Sequence, residues 1–246
     1  MLTVLTTKYR NWLASDKKLR KLFVSLHYWL VRHKRWQKLI SLNAKDKFTA
    51  IYKNNLWNNE ESKSGGGSTL RRTLQIRNKL PALLKKYNIR SICDAGCGDF
   101  NWMKHVDMGK TRYIGVDIVG DIIDTNKALY ANERRQFVEL DIINEKLPEV
   151  DLILCRECLF HLSFADIQTT ISNFKANRSM YLLTTHFPNI ERNVDVVTGS
   201  CRGLNWTLPP FHFPAPVITL SEDRSSQCLA LWRLDDLRPE SFRYQS

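Results

Sequence analysis

A short glycine-rich stretch carries the residues best suited to binding a ligand. Residues 90–99 have the sequence R-S-I-C-D-A-G-C-G-D, in which an apolar start leads to Asp94, Gly96 and Gly98. The apolar residues predict a buried parallel strand over 89–95 that ends in a glycine turn. Glycine permits a positive φ and lets a ligand approach the main chain closely. Because open α/β sheets bind nucleotides at such strand ends, we expect a nucleotide-type ligand here.

The spacing of this turn argues against two common phosphate-binding motifs. A dinucleotide fingerprint, G-x-G-x-x-G, would need a third glycine where the chain has Asn101. A P-loop needs G-x-x-x-x-G-K-[ST], and the chain has no such run. The pattern present is D-x-G-x-G, with an acid two residues before the first glycine. This pattern suits a ligand that carries a positive centre and an ammonium group.

Two later apolar runs also end in acids. These acids are Asp117 and Asp141, and each is followed by an isoleucine, Ile118 and Ile142. Asp117 lies 23 residues after Asp94, close to the spacing at which a β-α-β unit presents an acid to a ribose. A carboxylate can accept hydrogen bonds from both ribose hydroxyls, so an acid is the expected residue at this position.

Together, the three strand ends resemble the cofactor site of class I S-adenosylmethionine (SAM) dependent methyltransferases. The resemblance covers about residues 70–190. It implies an α/β fold, a Rossmann-like, doubly wound sheet of seven strands with a terminal antiparallel hairpin, and an enzyme with SAM as cofactor. It also implies that Asp141 faces the adenine amino group and that Ile142 covers the ring. The chain departs from the family pattern at Phe100, where a third glycine often stands, so the geometry of the turn stays open.

The remaining elements follow from periodicity and turn signals. Ser163 is predicted as the N-cap of a helix, and a break at Pro81 is predicted within the helix over 69–87. Further strands are expected over 150–155 and 181–185, and a hairpin over 217–220 and 228–234. Cys155, at the end of the fourth strand, and Arg77, as a partner of the SAM carboxylate, complete the predicted cofactor residues.

Residues 64–68, S-G-G-G-S, have two interpretations. The first is a flexible linker between an extension and the domain. The second is a mobile loop over the cofactor, whose exposed amides at the start of the next helix bind a carboxylate.

The loop after the fourth strand contains the candidate catalytic residues. His161 is the first choice of general base, because imidazole titrates near neutral pH and can accept a hydroxyl proton. His186, after the fifth strand, is the second choice, and Glu157 is a candidate base, orienting partner or ribose ligand. A DPPY-like tetrapeptide, typical of enzymes that methylate exocyclic nitrogens, is absent, which favours an oxygen acceptor.

Residues 193–213 are the candidate substrate segment. Arg202, Asn205, Trp206 and Phe211 combine hydrogen-bonding groups with flat aromatic surfaces, which suit sugar rings and also bases. A structural loop stiffened by prolines is the alternative.

The net charge of +12 is concentrated near the amino terminus. Residues 1–53 hold 13 basic and two acidic residues, whereas the remainder is nearly neutral. A basic amphipathic helix is expected over 8–40, and it suits an anionic membrane surface, nucleic acid or simple packing on the domain. We assign residues 1–60 to a basic helical extension and residues 61–246 to the methyltransferase domain.

Cysteine usage and the start of the chain bear on location. The six cysteines are expected to be reduced thiols, and a zinc site of two cysteine pairs is disfavoured by their unequal spacing, so no metal is predicted. The first ten residues lack the features of a signal peptide, and the longest near-apolar run is about half a bilayer span. We therefore expect a cytoplasmic protein, with peripheral contact to the inner face of the membrane through residues 1–40.

The expected function is O-methylation of a sugar, a glycan or another small hydroxyl substrate. The layout, with S-G-G-G-S before the domain and P-P-F-H-F-P after it, resembles bacterial methyltransferases associated with polysaccharide assembly. Two alternatives stay open. One is an RNA methyltransferase with a basic amino-terminal arm, although nucleic acid is the less favoured partner. The other is a SAM-binding scaffold without catalysis.

Overall fold

The computed structural model describes residues 41–222 and 227–242, so the predicted basic helix over 8–40 lies outside the described residues. One compact unit begins at Asn43 and contains the sheet. Its helices are α1 (Ala44–Lys53), α2 (Leu70–Lys86), α3 (Gly120–Tyr130) and α4 (Phe164–Ala176). Its strands are β1 (Ser91–Ala95), β2 (Arg112–Asp117), β3 (Arg135–Glu139), β4 (Leu152–Cys155), β5 (Tyr181–His186), β6 (Ile218–Ser221) and β7 (Cys228–Arg233).

Within the described residues the strands form one seven-stranded sheet in the order β3-β2-β1-β4-β5-β7-β6. The first five strands are parallel, and β7 pairs antiparallel with both β5 and β6. β1 lies at the centre, where Asp94 pairs with Gly115 of β2 on one side and Leu154 of β4 on the other. Burial of both sheet faces explains why β1 and β4 are almost continuously apolar. The predicted α/β sheet and its terminal hairpin are confirmed.

Local signals account for the helix boundaries. Ser163 caps α4 by accepting a hydrogen bond from the Asp166 backbone N–H at 3.1 Å, as predicted. The predicted break at Pro81 is wrong, because α2 continues through it. Leu80 and Leu83 are buried on either side of the proline, and their packing on the sheet holds both halves of the helix in line.

The segment before the first strand is part of the sheet-containing unit. Residues 43–60, which we assigned to the extension, include α1, capped by Asn43 through the Asp46 backbone N–H at 2.9 Å. Ile51 is its one fully buried apolar side chain, and Ala44 and Phe48 pack against the core beside it. Among the described residues, no helix combines the length and apolar character needed to cross a bilayer.

Candidate active site

A cleft opens at the carboxyl ends of β1, β2 and β4. This is the edge of the sheet at which the sequence places its acids and glycines, and it is where open α/β sheets bind their ligands. The cleft is lined by the predicted residues Asp94, Gly96, Gly98, Asp117, Ile118, Ile142, Glu157 and His161. It is also lined by Phe48, Tyr52, Trp57, Ser64, Ser68, Cys97, Trp102, Val119, Ile122, Arg156, Cys158 and Leu162.

Both glycines of the β1 turn have positive φ, 84° at Gly96 and 57° at Gly98. A Cβ at Gly98 would lie 2.3 Å from the Ser64 hydroxyl oxygen, and one at Gly96 would lie 2.8 Å from the Cys158 sulfur. The turn therefore needs glycine for its conformation and for its packing.

Phe100 explains the departure from the family pattern. It adopts φ 57°, the left-handed conformation that a glycine would take at low cost, and its side chain is buried. Its ring lies 5.2 Å from the rings of Tyr113, Tyr130 and Phe137, measured between centroids. Aromatic packing of this kind offsets the backbone strain, so the turn keeps its shape without the third glycine.

Two carboxylates face the turn, of which Asp94 is buried and Asp117 is partly buried. Asp94 accepts a hydrogen bond from the Tyr113 hydroxyl at 2.7 Å, and burial raises its pKa to about 7 against the opposing effects of Tyr113 and Arg156. Asp117 accepts hydrogen bonds from the backbone N–H groups of Gly98 and Val119, each at 3.0 Å, although burial still raises its pKa. The Gly98 bond joins the ends of β1 and β2 into one rigid edge.

Three predicted cofactor residues do not line the cleft. Asp141 accepts hydrogen bonds from its own loop, from the Ile143 backbone at 2.9 Å and the Asn144 side chain at 2.8 Å. Cys155 is fully buried in β4. Arg77 donates to the Leu70 carbonyl along its own helix. Ile142, next to Asp141, does face the cleft.

The Ser-Gly turn over 64–68 packs on the cleft, which favours the loop interpretation over the linker. The Ser64 hydroxyl accepts a hydrogen bond from the Asp99 backbone N–H at 2.8 Å. The start of α2, however, is already capped by the chain's own Glu61, which accepts a hydrogen bond from the Leu70 N–H at 2.6 Å. A carboxylate thus occupies the helix start at which we expected the cofactor carboxylate.

His161 lies at the end of a 3-10 turn, Leu159–His161, and its Nδ1 is 2.7 Å from the Ser200 carbonyl oxygen. Because a carbonyl can only accept, Nδ1 carries the proton and Nε2 keeps its lone pair. Burial lowers the pKa of His161 to about 4, so the ring is neutral at pH 7. The Trp57 ring lies over it, with the ring centroids 5.6 Å apart.

The structure brings His161 and Glu157 together in the cleft but separates His186 from them. Glu157 accepts a hydrogen bond from the Gln227 side chain at 2.6 Å. His186 lines a different groove beside β6 and β7, and its Nδ1 is 3.4 Å from the Trp206 backbone N–H. Burial lowers the pKa of His186 as well.

Three of the four predicted substrate residues are buried inside the fold, and Arg202 is partly buried. Trp206 and Phe211 are 0% and 1% exposed, and the Trp206 indole donates to the Thr185 carbonyl at 2.7 Å. Asn205 is also buried and donates to carbonyls of its own loop. Arg202 lies over the Phe164 ring, 5.3 Å from its centroid. The structural interpretation of this segment therefore describes it better than an aromatic substrate surface.

Sequence analysis missed the aromatic wall contributed by the segment before the first strand. Phe48, Tyr52 and Trp57 line the cleft, although they lie in residues 1–60, which we assigned to the extension. The available signal was the presence of Tyr52 and Trp57 in a run otherwise rich in asparagine. Large aromatic side chains in such a polar run indicate a contact elsewhere in the fold.

Comparison with known proteins agrees with this geometry. A family model described as a methyltransferase domain matches residues 93–176. Human N-acetylserotonin methyltransferase, solved in complex with SAM, is similar with a TM-score of 0.54 and 16% identity, covering 78% of this chain and 60% of that one. Magnesium protoporphyrin IX methyltransferase from Synechocystis, with bound SAM, gives 0.51 and 12% identity, covering 78% and 96%.

A third similarity, to the methyltransferase domain of a bacterial Hen1 protein, has a TM-score of 0.42 and 19% identity and covers 48% of this chain. The matched region spans 66% of the Hen1 domain, as it spans 60% of the human enzyme. No curated protein matches the chain. Residues 93–176 thus match a methyltransferase domain, and the described part of the chain has the class I methyltransferase fold. At this level the predicted domain and its fold are confirmed.

Proposed function

We propose that the protein transfers the methyl group of SAM to a hydroxyl of a small acceptor, with a sugar or glycan hydroxyl as the preferred class. The observation that carries the proposal is the state of His161. Its Nδ1 proton is committed to the Ser200 carbonyl, its Nε2 is an acceptor, and the ring lines the cleft. A neutral imidazole held in one tautomer is suited to accept a hydroxyl proton.

The donor half of the cleft has groups for each part of SAM. Asp117 has the chemistry to bind the ribose diol, and Ile118 and Ile142 offer apolar surface to the adenine. The glycine turn lets the methionyl part lie against the main chain. The buried carboxylate of Asp94 adds negative charge beneath a ligand that carries a sulfonium and an ammonium.

The reaction is an in-line displacement. The acceptor oxygen attacks the methyl carbon and forms a C–O bond, while the bond from carbon to sulfur breaks and its electron pair returns to sulfur. The hydroxyl proton passes to Nε2 of His161, and S-adenosylhomocysteine leaves with a neutral sulfur. Trp57 shields one face of the imidazole, which limits the directions from which an acceptor can approach.

The test is tritiated-methyl transfer from SAM into cell material separated as glycan, lipid, RNA, protein and small molecules. We expect label in a glycan or small-molecule fraction. In the isolated reaction, His161→Ala should lower turnover by about 10²- to 10⁴-fold and leave S-adenosylhomocysteine binding unchanged. Retained turnover would exclude His161 as the base. Label confined to RNA would favour an RNA methyltransferase, and tight SAM binding without transfer would favour the scaffold.

The proposed contact of residues 1–40 with the inner face of the membrane is a separate matter. It rests on the basic and aromatic composition of this segment. Sedimentation with anionic liposomes tests it, and we expect deletion of residues 1–40 to abolish binding. Equal sedimentation of the two proteins would refute the tether.

A further inference from the structure

A buried ion pair forms part of the wall of the cleft. Arg156, the residue after β4, donates from Nε and Nη2 to the two carboxylate oxygens of Glu222, at 3.2 and 2.7 Å. The two side chains are 2% and 0% exposed. Because this contact is bidentate and enclosed, the Arg156 charge is committed to Glu222.

Gln227 connects this pair to the cleft. Its side-chain nitrogen donates to Glu157 at 2.6 Å and to Glu222 at 2.8 Å, so one amide holds two carboxylates. An amide is uncharged, and it therefore orients both acids without neutralising either. The guanidinium of Arg156 is 4.0 Å from the Glu157 oxygen, well beyond its distances to Glu222. Within the described residues, no cation lies closer than 4.0 Å to the Glu157 carboxylate, so its charge is not closely paired.

The backbone of Glu157 fixes where this charge lies. Its φ is 55°, and its N–H donates to the Thr185 hydroxyl at 2.8 Å. Its second carboxylate oxygen packs so closely on Gly67 that a Cβ there would be 2.5 Å away. It lies four residues before His161 in one loop, next to Cys158, which covers Gly96. Glu157 and His161 both line the cleft, so a donor that delivers a methyl group to an acceptor at His161 shares the cleft with this carboxylate.

We propose that Glu157 is a specificity-determining residue that makes the cleft prefer the cationic methyl donor to its product, and that Gln227 is the residue that positions it. The inference rests on the proposed function, because SAM and S-adenosylhomocysteine differ by one methyl group and one positive charge. A fixed carboxylate near the sulfur stabilises the charged ligand and is indifferent to the neutral sulfide. A higher affinity for SAM than for S-adenosylhomocysteine also favours replacement of the bound product by a new SAM molecule.

Calorimetric titration of both ligands into the full-length protein tests this. For Glu157→Gln we expect the preference for SAM over S-adenosylhomocysteine to fall by about tenfold, with product affinity nearly unchanged. Gln227→Lys should reduce the preference in the same direction, because an ammonium at this position neutralises the acid. Gln227→Met, which keeps the Glu157 charge but removes its tether, should have a smaller effect. Glu149→Gln, at an exposed acid, is the matched control.

The outcomes separate the two proposals. Equal loss of both ligands in Glu157→Gln would mean that Glu157 contacts a group they share, and would overturn the inference. An unchanged preference in Gln227→Lys would also overturn it, and this variant decides the matter if Glu157→Gln does not fold. If the wild-type protein binds neither ligand, the proposed function fails instead.

Discussion

The part of the cleft proposed to bind SAM and the part proposed to bind the acceptor are held together in different ways. We call them the donor half and the acceptor half. In the donor half, neighbouring strands support one another over short distances, as when the Gly98 N–H donates to Asp117. In the acceptor half, each functional side chain depends on a remote segment. His161 is fixed by the Ser200 carbonyl and covered by Trp57, and Glu157 is held by Gln227, 70 residues away.

This difference has a consequence for how the site can change. The donor half consists of a strand, a turn and the acid at the next strand end. Because these parts contact one another directly, a substitution in one of them affects the others. The acceptor half is assembled from loops, and a substitution in one of them can alter the acceptor without disturbing the cofactor. Variants that change either the stability of the fold or the affinity for a ligand therefore test this difference between the two halves.

The largest effect is expected for Trp206→Ala. Trp206 is fully buried, stacks on Phe213 at 5.1 Å between ring centroids and donates to the Thr185 carbonyl. Its truncation should lower the free energy of unfolding by about 3–5 kcal/mol. Chemical denaturation measures this, with Leu129→Ala, at a 65% exposed position, as control. If the variant has unchanged stability and a raised KM for the acceptor, Trp206 binds the substrate as the sequence predicted.

Asp117→Ala is the corresponding test of the donor half. If Asp117 binds two ribose hydroxyls as proposed, its loss should weaken SAM binding by about 10²- to 10⁴-fold, at 1.5–3 kcal/mol for each hydrogen bond to a charged group. Titration calorimetry gives the affinity, and thermal unfolding is followed in parallel because Asp117 also holds the Gly98 N–H. Asp124→Ala, at an exposed position on α3, is the control. If the two variants bind SAM equally well, Asp117 does not bind the ribose.

The same contrast explains what could be predicted from the sequence. β4 and β5 were placed to within two residues, since strands buried on both faces leave a continuous apolar run. The glycine turn and Asp117 were recognisable because their chemistry depends on local spacing. These features are set within one β-α-β unit, where sequence distance and spatial distance agree.

The acceptor half could not be predicted in this way. Trp206 and Phe211 have the composition of a ligand surface, but only tertiary packing shows that β5 and its neighbours enclose them. Arg77 has a suitable charge, yet its orientation along α2 is set by the Leu70 carbonyl. Trp57 reaches His161 from the turns that follow α1, and no local pattern in the sequence predicts this long-range contact. In each case the sequence pattern does not specify the direction of the side chain or its contacts with distant segments.

A smaller effect, on pH dependence, is expected at Asp94. Burial raises its pKa to about 7, so below this pH the carboxyl is neutral and above it the carboxylate attracts the cationic donor. SAM affinity should therefore rise by up to about tenfold from pH 6 to pH 8. Titrations across this range should show a flat profile for Asp94→Asn and a normal one for Asp107→Asn, at an exposed acid. A pH-dependent Asp94→Asn protein would assign the titration to another group.

The smallest effect concerns Glu61, where the chain's own carboxylate caps the helix start at which we expected the cofactor carboxylate. Glu61 accepts hydrogen bonds from the Leu70 N–H at 2.6 Å and from the Asn101 side chain at 2.9 Å. Glu61→Ala should lower the free energy of unfolding by about 1 kcal/mol, relative to Glu60→Ala at an exposed neighbour. SAM affinity should stay the same, because Glu61 rather than the cofactor satisfies this helix start. If Glu61→Ala instead changes SAM affinity by more than about tenfold, the start of α2 contacts SAM. The donor half would then include the first residues of α2 as well as the strand ends.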